Sequence, residues 1–551
     1  MDVTIIVDGE FRGTSRFRVI RRLGGGGFGI VYRVYDNKRR SEVALKTLKV
    51  ANPRALYRFK KEFRALADVN HVNLVSLYEL LSEEGVWFFT MELVDGPNFR
   101  DYVLGEPPPE ASDSDVPTAQ DATLDFSKSS AHDVVARAIR QAPTTDFIKL
   151  RHALKQLAEG LGALHRAGML HRDIKPTNVR VTTNDRVVVL DFGLVTEADP
   201  HNMMHSVDFV GSPAYMSPEQ GTGKPVSEAG DWYSVGVMLF EALTGQLPFF
   251  GGFTEVLLAK QQQEAPSPAS LSSGVPDDLN QLCVGLLRRD PRDRIKGRDV
   301  LQLLGATTPP RRFVESVSSS HRSEMLYGRE RHTAALATAF ERALSGTPTT
   351  VLVRGRSGMG KTTLIETFLR EIQRASSDVV ALTGRCYQQE LVPYKALDGL
   401  IDSLSRYLTR QNQLEAAMLM PRDILALARL FPVLRQVEVI DSTTSRGAPI
   451  ADPHELRRRA FEALRELLAR LADRKRVVLF IDDLQWGDDD SVSLLSQLLR
   501  PPSAPVLLLI VSHRDGPGHD NRLLQELFST PSPGSEALDL HEITVGPLSP
   551  D

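Results

Sequence analysis

Apolar residues in the first part of the chain switch between two periods. Phe17–Leu23, Ile30–Tyr35 and Glu42–Leu48 are short runs bounded by turn residues, the first two flanking a glycine cluster, and they predict strands. Over Arg54–Asp68 the repeat changes: Leu56, Phe59, Phe63 and Leu66 fall at helical spacing, which predicts a helix with one buried face. Strands return around Val75–Leu81 and Val86–Glu92. From Asp146 to Arg166 the helical period is long and regular, with Phe147, Leu150, Leu154, Leu157, Leu161 and Leu164 on one side. Asp231–Thr244, Asp277–Leu287 and Arg298–Leu304 read as further helices.

A second pattern begins near Leu326. Thr350–Val353 predicts a strand, followed by a glycine loop and a helix from about Lys361, and Val379–Thr383 predicts another strand. The interval 395–475 is largely helical in period, with Leu456, Phe461, Leu464, Leu468 and Leu471 on one face. Val477–Ile481 and Val506–Val511 are continuous apolar runs, as parallel strands covered on both faces require. The final residues, ITVGPLSPD, read as a strand entering a helix, so the protein is expected to continue past Asp551.

Two stretches lack a core pattern. Residues 105–125 hold Pro107–Pro109 and six acids without Lys or Arg, and the acidic insert, about 105–145, is expected to be a disordered surface loop or docking segment. Thr307–Ser323 is rich in Pro, Arg and Ser and predicts a linker. The expected organisation is therefore an N-terminal extension (1–16), a first domain (17–305), a linker (306–325) and a second domain (326–551).

Composition narrows the class. At 551 residues, with 42% hydrophobic and 25% charged residues, the chain has the make-up of a multidomain globular protein. A formal charge of −4 offers no electrostatic reason to expect nucleic acid or anionic membrane as a partner. The two cysteines, Cys283 and Cys386, form no metal or disulfide pattern, which suits a reducing interior. No signal peptide or membrane-length apolar run is present, and a cytoplasmic location is expected.

Chemistry enters with a glycine-rich hairpin. Gly24, Gly26, Phe28, Gly29 and Val31 fit G-x-G-x-x-G-x-V, which lets backbone N–H groups approach phosphates. Val43-Ala44-Leu45-Lys46 follows at strand spacing, and Glu62 sits sixteen residues later on the predicted helix. His171-Arg172-Asp173-Ile174-Lys175-Pro176-Thr177-Asn178 and Asp191-Phe192-Gly193 come next, then Gly211–Glu219 with Ser217 where Ala is usual. In this order the motifs resemble the eukaryotic-type Ser/Thr protein kinases over about Phe17–Leu304, and so imply an α+β bilobal fold.

The resemblance also implies roles. Asp173 would accept the substrate hydroxyl proton, Lys175 would neutralise the transferring phosphoryl, and Asn178 and Asp191 would hold Mg²⁺. Lys46, held by Glu62, would pair the ATP phosphates, and Ala44, Met91, Glu92 and Leu93 would line the adenine pocket, with Met91 as gatekeeper. Lys175 points to the Ser/Thr class. Asp231 would cap a helix and Arg294 would pair with Glu219. Arg172 suggests activation by phosphorylation of the following loop, with Ser206 best spaced and Thr196 and Ser212 as other candidates.

Gly355-Arg-Ser-Gly358-Met-Gly360-Lys361-Thr362 fits G-x-x-x-x-G-K-[ST] between a strand and a helix. Lys361 would reach the β and γ oxygens and Thr362 would ligate Mg²⁺. The apolar run ending in Asp482-Asp483 supplies a metal-side acid and a water-positioning acid. With Tyr327-Gly328-Arg329-Glu330 and Leu484-Gln485-Trp486-Gly487-Asp488, this α/β P-loop domain resembles the AAA-like modules of signal-transduction ATPases with numerous domains, and Arg514 would sense the γ-phosphate. The lid and winged-helix parts usual in that family are not in the stretch, which leaves hydrolysis open. The expected protein is an ATP- and Mg²⁺-dependent Ser/Thr kinase of bacterial type acting on protein substrates, with an NTPase module that binds regulatory partners. The alternative is a nucleotide-switched scaffold in which the kinase domain mainly docks.

Overall fold

The computed structural model describes residues 6–7, 10–25, 29–48, 52–105, 145–191, 196–197, 213–305, 328–443, 450, 452–500, 503–516, 522–528 and 539–548. Nearly all of the expected acidic insert, and the whole of the expected linker, lie outside the described residues. The chain divides into two compact units.

In the first unit, β1 (Phe17–Gly25), β2 (Gly29–Asp36) and β3 (Ser41–Leu48) precede α1 (Pro53–Ala67), β4 (Leu77–Glu83) and β5 (Val86–Met91). The strands lie in the order β4-β5-β3-β2-β1. Leu56, Phe59, Phe63 and Leu66 of α1 are all buried, as the period predicted. The register sets Gly24 opposite Val31, Val31 opposite Lys46, and Ala44 opposite Met91. Residues before β1 also pack on this sheet: Phe11 is buried 5.4 Å from the Phe88 ring.

The larger part of this unit is helical: α2 (Phe99–Leu104), α3 (Phe147–Arg166), the hairpin β6 (Val179–Val181) and β7 (Val187–Val189), α4 (Glu228–Thr244), α5 (Phe253–Gln262), α6 (Asp277–Leu286) and α7 (Gly297–Leu303). Asp146 caps α3 by accepting from the Ile148 and Lys149 amides. Buried residues occur on every side of α4, which forms the centre of the core. No helix was expected at α5, whose apolar residues split between buried Val256 and Leu257 and exposed Phe253 and Leu258, so no single face appears in the sequence.

The second unit opens with α8 (Glu330–Leu344), β8 (Thr349–Gly355), α9 (Lys361–Ala375), β9 (Val379–Arg385), α10 (Lys395–Arg410), α11 (Ile424–Leu430) and α12 (Pro453–Ala472). It continues through β10 (Arg476–Asp482), α13 (Asp489–Leu499), β11 (Leu508–Arg514), α14 (Arg522–Phe528) and β12 (Asp539–Thr544). Its five strands run parallel in the order β9-β10-β11-β8-β12. Alternate residues serve opposite faces: Val351, Val478, Phe480 and Ile510 join one core with α8 and α9, whereas Leu352, Leu479, Ile481 and Leu509 join another with α10–α13. The expected helix start at the C-terminus reaches residues 549–551, which lie outside the described residues. Residues 545–548 are non-helical, and the Val545 amide instead extends the sheet by donating to the Arg354 carbonyl.

Candidate active sites

In the first unit, β3 and α1 bring Lys46 and Glu62 together. The Lys46 ammonium donates to Glu62 Oε1 at 2.7 Å and to Asp191 Oδ1 at 2.6 Å. Burial opposes its charge, but Asp191 and Glu62 overcome that and hold its pKa well above the ordinary lysine value. Burial likewise pushes Glu62 up to about 7, with Asp191 adding and Lys46 opposing. Asp191 is also partly shielded from water, yet Lys46 keeps its carboxyl below the usual range.

In the loop 171–178, Lys175 and Asn178 converge on Asp173. Its Oδ2 accepts from Lys175 Nζ at 2.9 Å and Asn178 Nδ2 at 3.0 Å, and Asn178 also donates to the Asp173 carbonyl. The amide nitrogen of Asn178 is thereby engaged and its oxygen left for a cation. The loop itself is braced by Asp231, which accepts from the His171 and Arg172 amides at 2.9 and 2.7 Å and from His165 Nε2 at 2.8 Å. This corrects the expected helix-capping role: Asp231 lies in the first turn of α4, with its carboxylate turned toward the loop, while Ser227 holds the cap position. Arg172 has φ of 66° and its buried Nε has no hydrogen-bond partner among the described residues. Arg294 pairs bidentately with Glu219, as expected.

Glu92 differs from a simple pocket lining, because its carboxylate turns away to Arg186 at 2.7 Å. Its backbone follows Met91, which pairs with Ala44 across the sheet. Gly26, Phe28, Ser206 and Ser212 lie outside the described residues. Thr196 forms a short bridge, its backbone opposite Leu170.

In the second unit, the loop after β8 wraps the start of α9. Gly358 and Gly360 adopt φ of 77° and 81°, a left-handed backbone that suits glycine. Gly355 is needed for space, since a Cβ there would stand 2.3 Å from the Val545 carbonyl oxygen. Lys361 Nζ folds back on the Gly355 and Arg356 carbonyls at 2.8 and 3.0 Å, and burial lowers its pKa, with Arg514 adding and Asp483 opposing. Thr362 Oγ1 donates to the Asp482 carboxylate at 3.0 Å. β11 lies between β8 and β10, and its register sets Arg514 level with Gly355. The buried Arg514 Nε has no hydrogen-bond partner among the described residues.

The protein kinase domain family matches residues 17–303, more than half of the chain. The chain belongs to the protein kinase family. Residues 325–511 match the AAA ATPase domain, so a kinase domain and an AAA-type module are fused in one chain. Among curated relatives, the serine/threonine-protein kinase PrkC of Bacillus subtilis is 27% identical over 285 residues, 51% of this chain and 38% of that protein. The serine/threonine-protein kinase PknL of Mycobacterium tuberculosis is 30% identical over 327 residues, 57% of this chain and 72% of that protein. Pkn1 of Myxococcus xanthus is 31% identical over 287 residues, 50% of this chain and 36% of that protein. The chain thus spans 38% of PrkC and 36% of Pkn1. Both domain types imply ATP use with a divalent metal, and the oxygens of Asp191, Asn178, Asp482 and Thr362 suit a hard cation. Among the described residues no helix is long and apolar enough to cross a membrane.

The kinase family member carries site residues that sequence reasoning missed. In the AAA module, Ser512 Oγ donates to Asp482 Oδ1 at 2.5 Å and accepts from the Asp483 amide. Arg385 donates to Asp483 Oδ2 at 3.1 Å, and Gln485 links Asp483 to the Arg514 amide. Burial, reinforced by Asp483, raises the Asp482 pKa. The available signal was a polar or charged residue at the end of each apolar strand: Arg385, Asp482 and Ser512. Arg329 fastens the phosphate loop by donating to the Met359 and Gly546 carbonyls.

Proposed function

We propose that this chain is a Ser/Thr protein kinase that transfers the ATP γ-phosphoryl to protein Ser or Thr hydroxyls, with Mg²⁺ as its metal. The AAA-type module is a nucleotide-binding regulatory element, open to protein partners, in cytoplasmic bacterial signalling. One observation carries the reading: Lys46 bonds Glu62 and Asp191 together, while Lys175 and Asn178 converge on Asp173. These contacts support a single unit that holds an acid, a phosphate-side cation and metal-side oxygens.

Asp173 accepts the hydroxyl proton, and Lys175 beside it offsets the negative charge of the transferring group. Lys46 orients the α and β phosphates, with Glu62 restraining its side chain. Asn178 and Asp191 would hold Mg²⁺, which supplies charge neutralisation between the phosphates when bound. A phosphate on the loop between Asp191 and Glu219 would find the Arg172 guanidinium, whose Nε has no hydrogen-bond partner among the described residues, with Ser206 the first candidate and Thr196 and Ser212 behind it. In the module, Thr362 and Asp482 would hold the second metal, Lys361 and Arg514 the phosphates, and Asp483 the attacking water.

Radiolabelled ATP with a generic acceptor protein tests this, using wild type, Asp173→Asn and Lys361→Ala. Transfer should fall at least about a hundredfold in Asp173→Asn, within the usual range for loss of a general base. Label transfer that persists in that variant refutes the assignment. Lys361→Ala reports whether the module tunes the kinase or works independently.

A further inference from the structure

Lys260, on α5, is 1% exposed, and no carboxylate lies within ion-pair distance of it among the described residues. Its ammonium instead donates to three carbonyls of one segment: Pro213 at 2.8 Å, Ala214 at 2.6 Å and Met216 at 2.7 Å. The remaining carbonyl of that run, Tyr215, accepts from Ser234 Oγ of α4 at 2.8 Å. Four consecutive carbonyls are thus held from the side of α4 and α5. The segment's other end is tied to the catalytic loop, because Gln220 Nε2 donates to the Arg172 carbonyl at 3.0 Å.

We infer that Lys260 is a positioning residue for acceptor protein, setting the height and tilt of Pro213–Met216, a segment joined through Gln220 to the loop that carries Asp173. The inference rests on the kinase reading above. A lysine has three N–H donors, and all three are used here on a single turn. Burying an ammonium without an anion is unfavourable, and an apolar side chain would fill the space without that penalty. The carbonyls and the Tyr233 ring, 5.4 Å away, are what compensate the charge. Burial presses the Lys260 pKa down to about 7, while only the protonated ammonium has the three N–H donors that the carbonyls accept. Nothing in this arrangement touches Lys46, Glu62 or Asp191, so its influence should fall on the acceptor and not on ATP.

The test is steady-state transfer by the full chain, comparing wild type, Lys260→Met and Lys260→Arg with a peptide acceptor. Lys260→Met should raise KM for the peptide about tenfold or more, the effect of losing charged hydrogen bonds. KM for ATP should stay within about twofold, because no ground-state contact to ATP is lost. Lys260→Arg retains the charge but presents a flat fork, and should fall between the two. Equal movement of both KM values, or an unchanged peptide KM in folded protein, overturns the inference. Should Lys260→Met fail to fold, Lys260→Arg and Ser234→Ala must show the same split, and its absence is equally fatal. A wild-type chain that transfers no phosphate sinks the kinase reading itself, which is a separate result.

Discussion

Replacing Arg294 by Met removes a guanidinium whose five donors are all engaged. Nε donates to the Arg288 carbonyl at 2.7 Å, and Nη1 to Glu219 Oε1 at 2.6 Å and the Ala229 carbonyl at 2.9 Å. Nη2 donates to Glu219 Oε2 at 2.8 Å and the Arg289 carbonyl at 2.9 Å. The side chains are 0% and 6% exposed, so the variant leaves a carboxylate buried without its cation. Breaking a buried pair this way costs about 3–5 kcal/mol, where an exposed pair would cost under about 1. At about 2–4 °C per kcal/mol for a unit of this size, the melting transition should fall by roughly 6–20 °C. Scanning calorimetry of the full chain measures the fall, and hydrogen exchange over Trp232–Leu243 assigns it to the kinase unit. Glu219→Gln in the same chain should restore part of the loss, because the orphaned charge is then gone. A shift of only a few degrees, or a double variant that loses the full sum of the singles, would show that the pair is not coupled and refute the reasoning.

Four further outcomes follow from the geometry. Glu62 must be ionised to hold Lys46, and burial puts its pKa up at about 7, so kcat/KM for ATP should rise with pH through that region and flatten at a low value in Glu62→Gln. Stability has the opposite sign: a raised folded pKa favours the folded state fully below the ordinary 4.5, and that contribution is lost as pH rises through about 7, which pH-dependent melts against Glu62→Gln would reveal. Gly355→Ala should abolish nucleotide binding by the AAA module, since the added Cβ meets the Val545 carbonyl at 2.3 Å, and fluorescent-nucleotide titration in a Lys46→Met background reads this alone. Asp231→Ala should lower kcat more than it alters KM for ATP, because the His171 and Arg172 amides lose their acceptor while the Lys46–Glu62 pair is untouched.

The periods that exposed α1, α3 and the buried strands β10 and β11 were legible because each element has one environment along its length. Leu56, Phe59, Phe63 and Leu66 needed only helical spacing to predict their burial. The short helix α5 was not, since Leu258 is exposed beside buried Leu257, and only the end of β12 was read as strand, because it is intermediate or exposed along most of its length. At the sites, motif spacing located Lys46, Asp173, Asn178, Asp191 and Lys361, whose partners are fixed by local sequence or by family order. Asp231, Arg385 and Ser512 act on residues far away in the chain. Their parts depend on strand register and on a side chain turning from its own helix toward a loop, which no local pattern encodes.

The two lysines proposed to bind phosphate sit in contrasting electrostatic surroundings. Lys46 already bonds two carboxylates, so an incoming triphosphate must compete with Asp191 for the same ammonium. A divalent cation on Asp191 relieves that competition by engaging its carboxylate. Lys361 Nζ bonds two neutral carbonyls and, among the described residues, no carboxylate, while Asp482 and Asp483 bond Thr362, Ser512 and Arg385. Arg514 adds a second cation whose Nε has no partner among the described residues. A phosphate approaching Lys361 therefore displaces no carboxylate from its ammonium, whereas one approaching Lys46 must displace Asp191 unless a metal engages that acid. Chelating divalent cations should weaken nucleotide binding at least about tenfold more in Lys361→Ala, which reports the kinase site, than in Lys46→Met, which reports the module; that ratio corresponds to about 1.4 kcal/mol. Fluorescent-nucleotide titration with and without EDTA measures both. Equal losses at the two sites would mean that Asp191 does not gate Lys46, and the electrostatic contrast would carry no functional weight.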